Sequence, residues 1–175
     1  MRRGVAEFEA LFMPHLDAAY NLARWLVGRD DDAQDVVQEA YTRALKKFGQ
    51  FRGDNPRGWL LTIVRNTAYT SLKRRATTEK TVLFDEDLHT VPVDAPTSEV
   101  DLERQRQRLG AAIGRLPTEF REALVLYELE GWSYKAIAQA LKVPLGTIMS
   151  RLSRARRKLR AEFEAGESGE SEDEM

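Results

Sequence analysis

The sequence predicts an all-α protein of two small helical domains joined by a flexible linker. Apolar residues recur with the period of an α-helix in both halves of the 175-residue chain. Between the halves, an acidic stretch with Pro92 and Pro96 has little helical period, which is typical of a linker. We therefore place domain one at residues 1–76, a flexible acidic linker at 77–99, domain two at 100–161 and a disordered acidic tail at 162–175.

The first half of domain one is predicted to form two helices. The first extends from about Val5 to Val27, and Gly28 is a natural stop because glycine readily adopts the left-handed conformation that follows many helices. The second extends from about Ala33 to Phe48. Residues 30–32 are aspartates, which can supply capping oxygens and negative charge at its start.

A third helix is predicted to begin near Pro56. Asn55 can cap this helix, and Pro56 suits its start because proline is tolerated at the first helical position. The helix ends in the basic run Lys73–Arg75. Within the linker, residues 81–84 are predicted to form a short extended piece. Domain two is then predicted to begin at about Val100 and to start a further helix after Leu116-Pro117.

The segment from Gly131 to Leu159 has the pattern of a helix-turn-helix. Ser133 can cap its first helix, and the run Lys142-Val143-Pro144 ends it because proline cannot continue a helix. In the second helix an apolar stripe recurs at helical spacing, formed by Ile148, Leu152, Ala155 and Leu159. The opposite side carries small and basic residues: Gly146, Ser150, Ser153, Arg154 and Arg157, flanked by Thr147, Arg151 and Lys158.

Such a second helix predicts binding to duplex DNA. Its packed back and its front of small polar and arginine side chains fit the major groove, where arginine contacts guanine through two hydrogen bonds. Lysine, arginine and hydroxyl groups hold phosphates. The alternative is that Arg156, Arg157 and Lys158 form only a solvated helix end, because cations favour the C-terminal end of the helix dipole.

The distribution of charge supports a nucleic-acid-binding body. All 27 Lys and Arg residues lie at or before Arg160, whereas seven of the 28 Asp and Glu residues lie after it. A basic body therefore precedes an acidic tail, although the net charge of the chain is only −1. The tail either competes with DNA for the body or is a solvating appendage.

Several classes of function are disfavoured. The chain has no cysteine for disulfides or a thiolate zinc site, and His15 and His89 are isolated, so we expect no metal and no cofactor. We find no nucleophile–base pair and no phosphate-cradling glycine loop, so we do not expect an enzyme. Since no apolar run reaches transmembrane length and no signal-peptide core is present, we expect a cytoplasmic protein.

With both halves considered, the chain resembles the extracytoplasmic-function group of bacterial RNA polymerase sigma factors. The resemblance extends from about Phe8 to Arg160. It is carried by DDAQDVVQEAYTRAL (residues 31–45), WLLTIVRNTAYTSLKRR (59–75) and LPTEFREALVLYELEGWSYKAIAQALKVPLGTIMSRLSRARRKL (116–159). It implies a transcription initiation factor whose partners are core RNA polymerase, through its beta-prime and beta subunits, promoter DNA and an anti-sigma factor.

The first block, by this resemblance, binds a coiled coil of the beta-prime subunit. The residues implied are Asp35, Gln38 and Glu39, which share one helix face with Thr42 and Lys46, opposite the core face. Periodicity alone would favour an ordinary solvated face, and the resemblance reverses this for Asp35, Gln38 and Glu39.

The second block implies opening of the promoter −10 element. The candidate pocket for a flipped base is the loop with Phe51, Arg52, Asp54 and Asn55, which is about one residue shorter than in many members of the family. The next helix presents a surface that can follow a single strand, formed by Arg65, Asn66, Tyr69 and Lys73. Trp59 is either a stacking platform or a core residue.

The third block implies reading of the −35 element as duplex DNA. The base-facing residues are Met149, Ser150, Ser153 and Arg154, and those nearer phosphates are Thr147, Arg151, Arg156 and Arg157. Met149 stands where a basic residue is often found and favours an apolar contact, such as a thymine methyl.

Two other functions compete with this interpretation. A one-component or response-regulator-type regulator would share the helix-turn-helix without depending on core polymerase, and it would leave the blocks at 31–45 and 59–75 unexplained. A helical bundle used only for protein interaction is disfavoured by the arginines of the second helix.

Overall fold

The computed structural model describes residues 4–78 and 99–170, and every regular element within these ranges is helical. The chain divides into two compact units between Phe84 and Asp85, inside the predicted linker. Residues 79–98, including the extended piece predicted at 81–84, lie outside the described residues, as do residues 171–175. Within the described ranges, no helix is both long and apolar enough to cross a membrane.

Domain one consists of four α-helices with short connections. They are α1 (Val5–Phe12), α2 (Leu16–Val27), α3 (Asp30–Lys47) and α4 (Pro56–Thr78), with 3₁₀ turns at Met13–His15 and Phe48–Gln50. The first turn corrects the prediction of one continuous helix from Val5 to Val27. It contains Pro14, which has no N–H to donate to the preceding turn of a helix.

The helix ends in domain one largely follow the sequence signals. Gly28 ends α2 with a left-handed φ of 80°, and its N–H donates to the carbonyl of Arg24 at 3.0 Å. The Oδ1 atom of Asn55 caps α4 by accepting from the N–H of Gly58 at 2.9 Å. In contrast, α3 begins at Asp30, so the three aspartates lie within its first turn and act on the helix dipole rather than as its N-cap.

Helix α4 is the centre of domain one because it packs against α1, α2 and α3. Its inner face is fully buried and contains Leu60, Leu61, Val64 and Ala68. Next to the start of α4, a cluster of aromatic rings fills the space between α1 and the loop after α3; its members are Phe8, Phe12, Phe48, Phe51 and Trp59. Burial of these apolar groups supplies most of the driving force for folding this domain.

Domain two contains the predicted helix-turn-helix. Its helices are α5 (Glu99–Gly114), α6 (Thr118–Leu124), α7 (Tyr134–Leu141) and α8 (Leu145–Glu170), with a π-helical turn at Val125–Leu129 directly after α6. The predicted cap is confirmed, since Ser133 Oγ accepts from the N–H of Ala136 at 3.0 Å. Lys142 ends α7 with a left-handed φ of 56°.

The end of α8 corrects the predicted boundary of the disordered tail. We placed that tail at 162–175, but α8 continues to Glu170. At the start of this stretch Arg115, which directly follows α5, donates to Glu162 Oε2 from Nε at 3.0 Å and from Nη2 at 2.6 Å. The guanidinium of Arg108 also lies 5.7 Å from the centroid of the Phe163 ring. The composition of residues 162–175 shows that the segment is acidic, but it does not show that Glu162 and Phe163 contact Arg115 and Arg108.

We expect the contact between α5 and the end of α8 to stabilise α5. In the full chain, Glu162→Gln with Phe163→Ala should lower the free energy of opening of α5 by about 1–2 kcal/mol, because a partly exposed ion pair and a cation–π contact are lost. Hydrogen exchange of the α5 amides measures this. Lys158→Gln, which also removes one charge at an exposed position of α8, is the matched control; equal exchange in both proteins would contradict the expectation.

Candidate nucleic-acid and protein interfaces

Helix α8 has one buried side and one exposed side, as its sequence pattern requires. Ile148, Leu152 and Ala155 are at most 1% exposed, and α8 packs against α6 and α7. On the opposite side Ser153, Arg154 and Arg157 are exposed, Ser150 and Thr147 are half-buried, and Met149 is 52% exposed. The four side chains predicted to face bases therefore lie on an accessible surface together with Arg157, which was predicted to lie nearer phosphates. We call this surface the α8 reading face: Met149, Ser150, Ser153, Arg154 and Arg157.

Two of the arginines predicted to contact phosphates are held by acidic residues of the same domain. Arg151 lies 3.7 Å from Glu119 of α6, and Arg156 Nη2 donates to Glu128 Oε1 at 2.9 Å. Both side chains leave the flanks of α8 towards neighbouring elements. Both predicted phosphate contacts thus already have a carboxylate partner, which the sequence did not indicate because periodicity gives the angular position of an arginine on its helix but not the carboxylates that other elements bring near it.

A pair of tyrosines meets Arg156 at the edge of the α8 reading face. The rings of Tyr127 and Tyr134 lie 4.7 Å apart, and the Arg156 guanidinium lies 5.5 Å from the Tyr127 ring centroid. The hydrogen bond shared with Tyr134 raises the pKa of the Tyr127 phenol. Hydrogen bonding to Glu128 and then to Tyr134 raises the pKa of Arg156, which favours its charged form. Sequence analysis missed this cluster, since the π-helical turn interrupts the regular helical period.

In domain one, the predicted protein-binding residues lie together on the outer side of α3. Asp35 and Gln38 are exposed, and the backbone carbonyl of Gln38 accepts from the Thr42 hydroxyl at 3.0 Å. Glu39 is half-buried and forms an ion pair with Arg43, one turn further along α3. The face formed by Asp35, Gln38 and Glu39 is accessible. Of its three polar side chains, Glu39 already has a cationic partner in Arg43.

A groove beside this face was not found by sequence analysis. It has a volume of about 570 Å³ and is lined by residues of the first turn, α2 and α3, among them Met13, Leu16, Tyr20, Val37 and Gln38. Met13 and Leu16 are 47% and 39% exposed, which is high for large apolar side chains. The spacing of these residues resembles that of a core face, so their exposure could not be read from the pattern.

The predicted base pocket after α3 is only partly available. Phe51 is 6% exposed, and its ring centroid lies 5.6 Å from that of Phe12 and 5.1 Å from that of Trp59. Phe51 is therefore a core residue, which corrects its predicted place in the pocket. Trp59 also packs on Phe12, with centroids 5.3 Å apart, as the core alternative for this residue requires.

The polar residues of this loop have local partners. The Arg52 guanidinium donates to the carbonyls of Gly49 at 2.8 Å and Phe51 at 3.0 Å, and Asn55 caps α4. A Cβ atom at Gly58 would lie 2.3 Å from the Asn55 side-chain nitrogen, so a larger residue at that position would force the Asn55 side chain to move. Asp54 is exposed. The loop is thus tied to the core by Phe51 and to α4 by Asn55.

The outer surface of α4 brings the other four predicted residues onto one row. The Arg65 guanidinium lies 4.2 Å from the Tyr69 ring centroid, and Arg65 Nη1 donates to Asn66 Oδ1 at 3.1 Å. Lys73 is exposed one turn further along. The following turn is fixed to α3 by an ion pair between Arg75 and Asp32. Aromatic and cationic groups in a row on a rigid helix suit the stacking and phosphate contacts of a single strand.

Comparison with known proteins follows the same division of the chain. The profile of Sigma-70 region 2 matches residues 11–78, and that of Sigma-70 region 4 matches residues 106–159. The chain is 36% identical over 155 residues to the ECF RNA polymerase sigma factor SigE of Mycolicibacterium smegmatis, covering 87% of this chain and 60% of that protein. It is 33% identical over 158 residues to the RNA polymerase sigma-H factor of Pseudomonas aeruginosa, covering 85% and 82% respectively.

Two solved structures are similar along most of the chain. The sigma factor RpoE of Bartonella quintana, in complex with the anti-sigma factor NepR, matches with a TM-score of 0.73 and 29% identity, covering 91% of this chain and 98% of that one. CnrH, in complex with the cytosolic domain of CnrY, matches with a TM-score of 0.64 and 25% identity, covering 93% and 90%.

The core position of Phe51 has a direct consequence for stability. Phe51→Ala should lower the free energy of unfolding of domain one by about 3–5 kcal/mol, because it removes a buried ring from the aromatic cluster. Asp54→Ala, in the same loop but exposed, should change it by less than about 0.5 kcal/mol. Denaturant unfolding followed by tryptophan fluorescence measures both; similar effects of the two substitutions would argue against the core role.

Proposed function

The chain belongs to the ECF family of RNA polymerase sigma factors, and we propose that it binds core polymerase through α3 and selects promoters through α4 and α8. The observation that carries this proposal is the arrangement of α8. Its apolar stripe is buried while the α8 reading face is exposed, and this helix follows a domain that matches Sigma-70 region 2. A helix fixed in this way can enter the major groove of duplex DNA.

For the −35 element, we assign base contacts to Met149, Ser150, Ser153 and Arg154. Arg154 can donate two hydrogen bonds to guanine, and Met149 can contact a thymine methyl. Thr147 and Arg157 remain assigned to phosphates, whereas Arg151 and Arg156 already bind Glu119 and Glu128. The two flanks of the reading face are therefore less cationic than the sequence of α8 alone suggests.

For the −10 element, we assign strand contacts to the row on α4 formed by Arg65, Asn66, Tyr69 and Lys73. Tyr69 offers a ring for base stacking, and the cations of Arg65 and Lys73 can follow the phosphates. Arg52, Asp54 and Asn55 form the rim where an unstacked base would enter, and Phe51 supports that rim from below. The ties of this loop to the core keep it in place before DNA arrives.

For the polymerase, we assign Asp35, Gln38 and Glu39 of α3 to the coiled coil of the beta-prime subunit. The same accessible face and its neighbouring groove also suit an anti-sigma factor, such as NepR in its complex with the sigma factor RpoE. The polymerase performs the chemistry of RNA synthesis, and the chain itself acts without catalysis or cofactor. Its place of action is the cytoplasm, where promoter DNA and polymerase meet.

The competing function, a regulator independent of core polymerase, would leave α3 and the row on α4 without a role. Reconstitution separates the two. With core polymerase and a genomic fragment library, the chain should direct transcription from a defined set of start sites. Binding to DNA without any effect on core polymerase would instead favour the competing function.

The outer face of α3 is expected to be required for binding core polymerase. Asp35→Ala with Glu39→Ala should weaken binding at least about tenfold, since each loses a charged contact of about 1 kcal/mol or more. Competition with a labelled sigma factor for core enzyme measures this. Arg43→Ala is the matched control because it breaks the ion pair with Glu39 but keeps the carboxylate. If the wild type, the double variant and Arg43→Ala competed equally well, this face of α3 would be excluded as the polymerase-binding surface.

Arg154 is expected to read a base. Arg154→Ala should cost about 1–3 kcal/mol at one position of the −35 element and relax the preference there. Transcription from promoters with each −35 position randomised measures this preference. A uniform loss on every sequence would reassign Arg154 to a phosphate.

A further inference from the structure

We propose that Arg156 is a positioning residue for −35 recognition, which it supports by fixing the rotation of α8 and not by contacting DNA. The proposal rests on the proposed function, since it concerns how the α8 reading face is held. It assigns a role to a cluster formed by Arg156, Glu128, Tyr127 and Tyr134, which we call the Arg156 anchor.

The Arg156 anchor joins three parts of domain two at one side chain. Arg156 lies on α8, Tyr127 and Glu128 lie in the π-helical turn, and Tyr134 is the first residue of α7. The contacts are a hydrogen bond of 2.9 Å from Arg156 to Glu128, a cation–π contact of 5.5 Å with Tyr127, and the packing of Tyr127 on Tyr134. A planar guanidinium that binds a carboxylate at its edge and a ring at its face has little freedom to rotate.

The π-helical turn brings the partners of Arg156 to this place. The N–H of Glu130 donates to the carbonyl of Val125 at 3.0 Å, five residues back, and the N–H of Trp132 donates to that of Leu126 at 2.9 Å. The wider turn holds one more residue than an α-helical turn. Such turns occur often at functional sites, and here the turn carries both groups that bind Arg156.

The position of Arg156 on α8 explains why its anchoring would affect recognition. Arg156 follows Met149 by two helical turns, so both residues lie on the same flank of α8. The apolar stripe holds the back of the helix, but apolar packing alone tolerates small rotations about the helix axis. An anchor on the flank resists such rotation, and a rotation would move Met149, Ser153 and Arg154 relative to the bases.

The charges also distinguish Arg156 from the arginines of the reading face. Glu128 compensates Arg156, so contact with a phosphate would require breaking an ion pair that is already formed. Within the part of the chain that the structure describes, Arg154 and Arg157 are exposed and form no such pair. Arg157 is thus the natural phosphate contact, and Arg156 is the support.

The substitution Glu128→Gln separates positioning from phosphate contact because the two roles predict opposite results. If Arg156 positions α8, the loss of its partner should flatten the −35 preference of the reconstituted holoenzyme by about three- to tenfold. If Arg156 contacts a phosphate, Glu128→Gln should release it and strengthen promoter binding with the preference unchanged. Transcription of a library randomised at the −35 element measures the preference.

Matched variants on α8 complete the test. Arg156→Ala should flatten the preference as Glu128→Gln does, while leaving the slope of affinity against salt unchanged. Arg157→Ala should weaken binding to all sequences and reduce that slope by about one. Thermal unfolding of each full-length variant identifies any loss of folding, and Glu128→Gln keeps the test valid if Arg156→Ala unfolds domain two.

The outcomes also separate this inference from the proposed function. A wild-type holoenzyme without any −35 preference would overturn the proposed function. A wild-type preference that Glu128→Gln leaves intact, or a lower salt slope in Arg156→Ala, would overturn the positioning role of Arg156 alone.

Discussion

Burial of one side of a helix determines where its other side points, and both proposed DNA surfaces depend on this constraint. In α8 the stripe with Ile148 and Leu152 is sealed, and in α4 the inner face with Leu60 and Val64 is sealed. Burying each such aliphatic side chain stabilises the fold by about 1.5–3 kcal/mol. Any large rotation that hid the polar side would expose the apolar side, so the core behind each surface sets its approximate orientation and leaves only small rotations to contacts on the flanks.

The same constraint explains how much of the fold could be predicted from the sequence. Helical periodicity reports the direction of a side chain around its own axis, which is why the buried stripe and exposed face of α8 were predicted correctly. Caps are equally local, as the contacts of Ser133 and Asn55 confirm. In both cases the information lies within a few neighbouring residues.

Features that depend on partners distant in sequence could not be predicted in this way. Phe51 lies in an irregular loop, where no period distinguishes a core ring from a stacking ring, and its burial depends on Phe12 and Trp59. Glu162, in the last third of α8, binds Arg115, which lies 47 residues earlier in the chain. In the sequence, Arg156 could not be distinguished from Arg157 as a phosphate contact. Its partner Glu128 lies in the π-helical turn, which periodicity does not predict.

These corrections change the physical picture of promoter recognition. With Arg151 and Arg156 paired inside domain two, fewer cations remain to attract DNA, and the serines and Met149 of the reading face contribute shape more than charge. Because phosphate contacts supply most of the non-specific affinity, each arginine held by a carboxylate lowers what α8 would contribute to duplex binding by itself. In a complex with core polymerase, however, both domains are held at one promoter. Once one domain is bound, the high effective concentration of the other compensates for its lowered affinity for DNA. With two of its six cations paired, α8 then adds less to binding at sequences that do not match its reading face, and this favours selectivity.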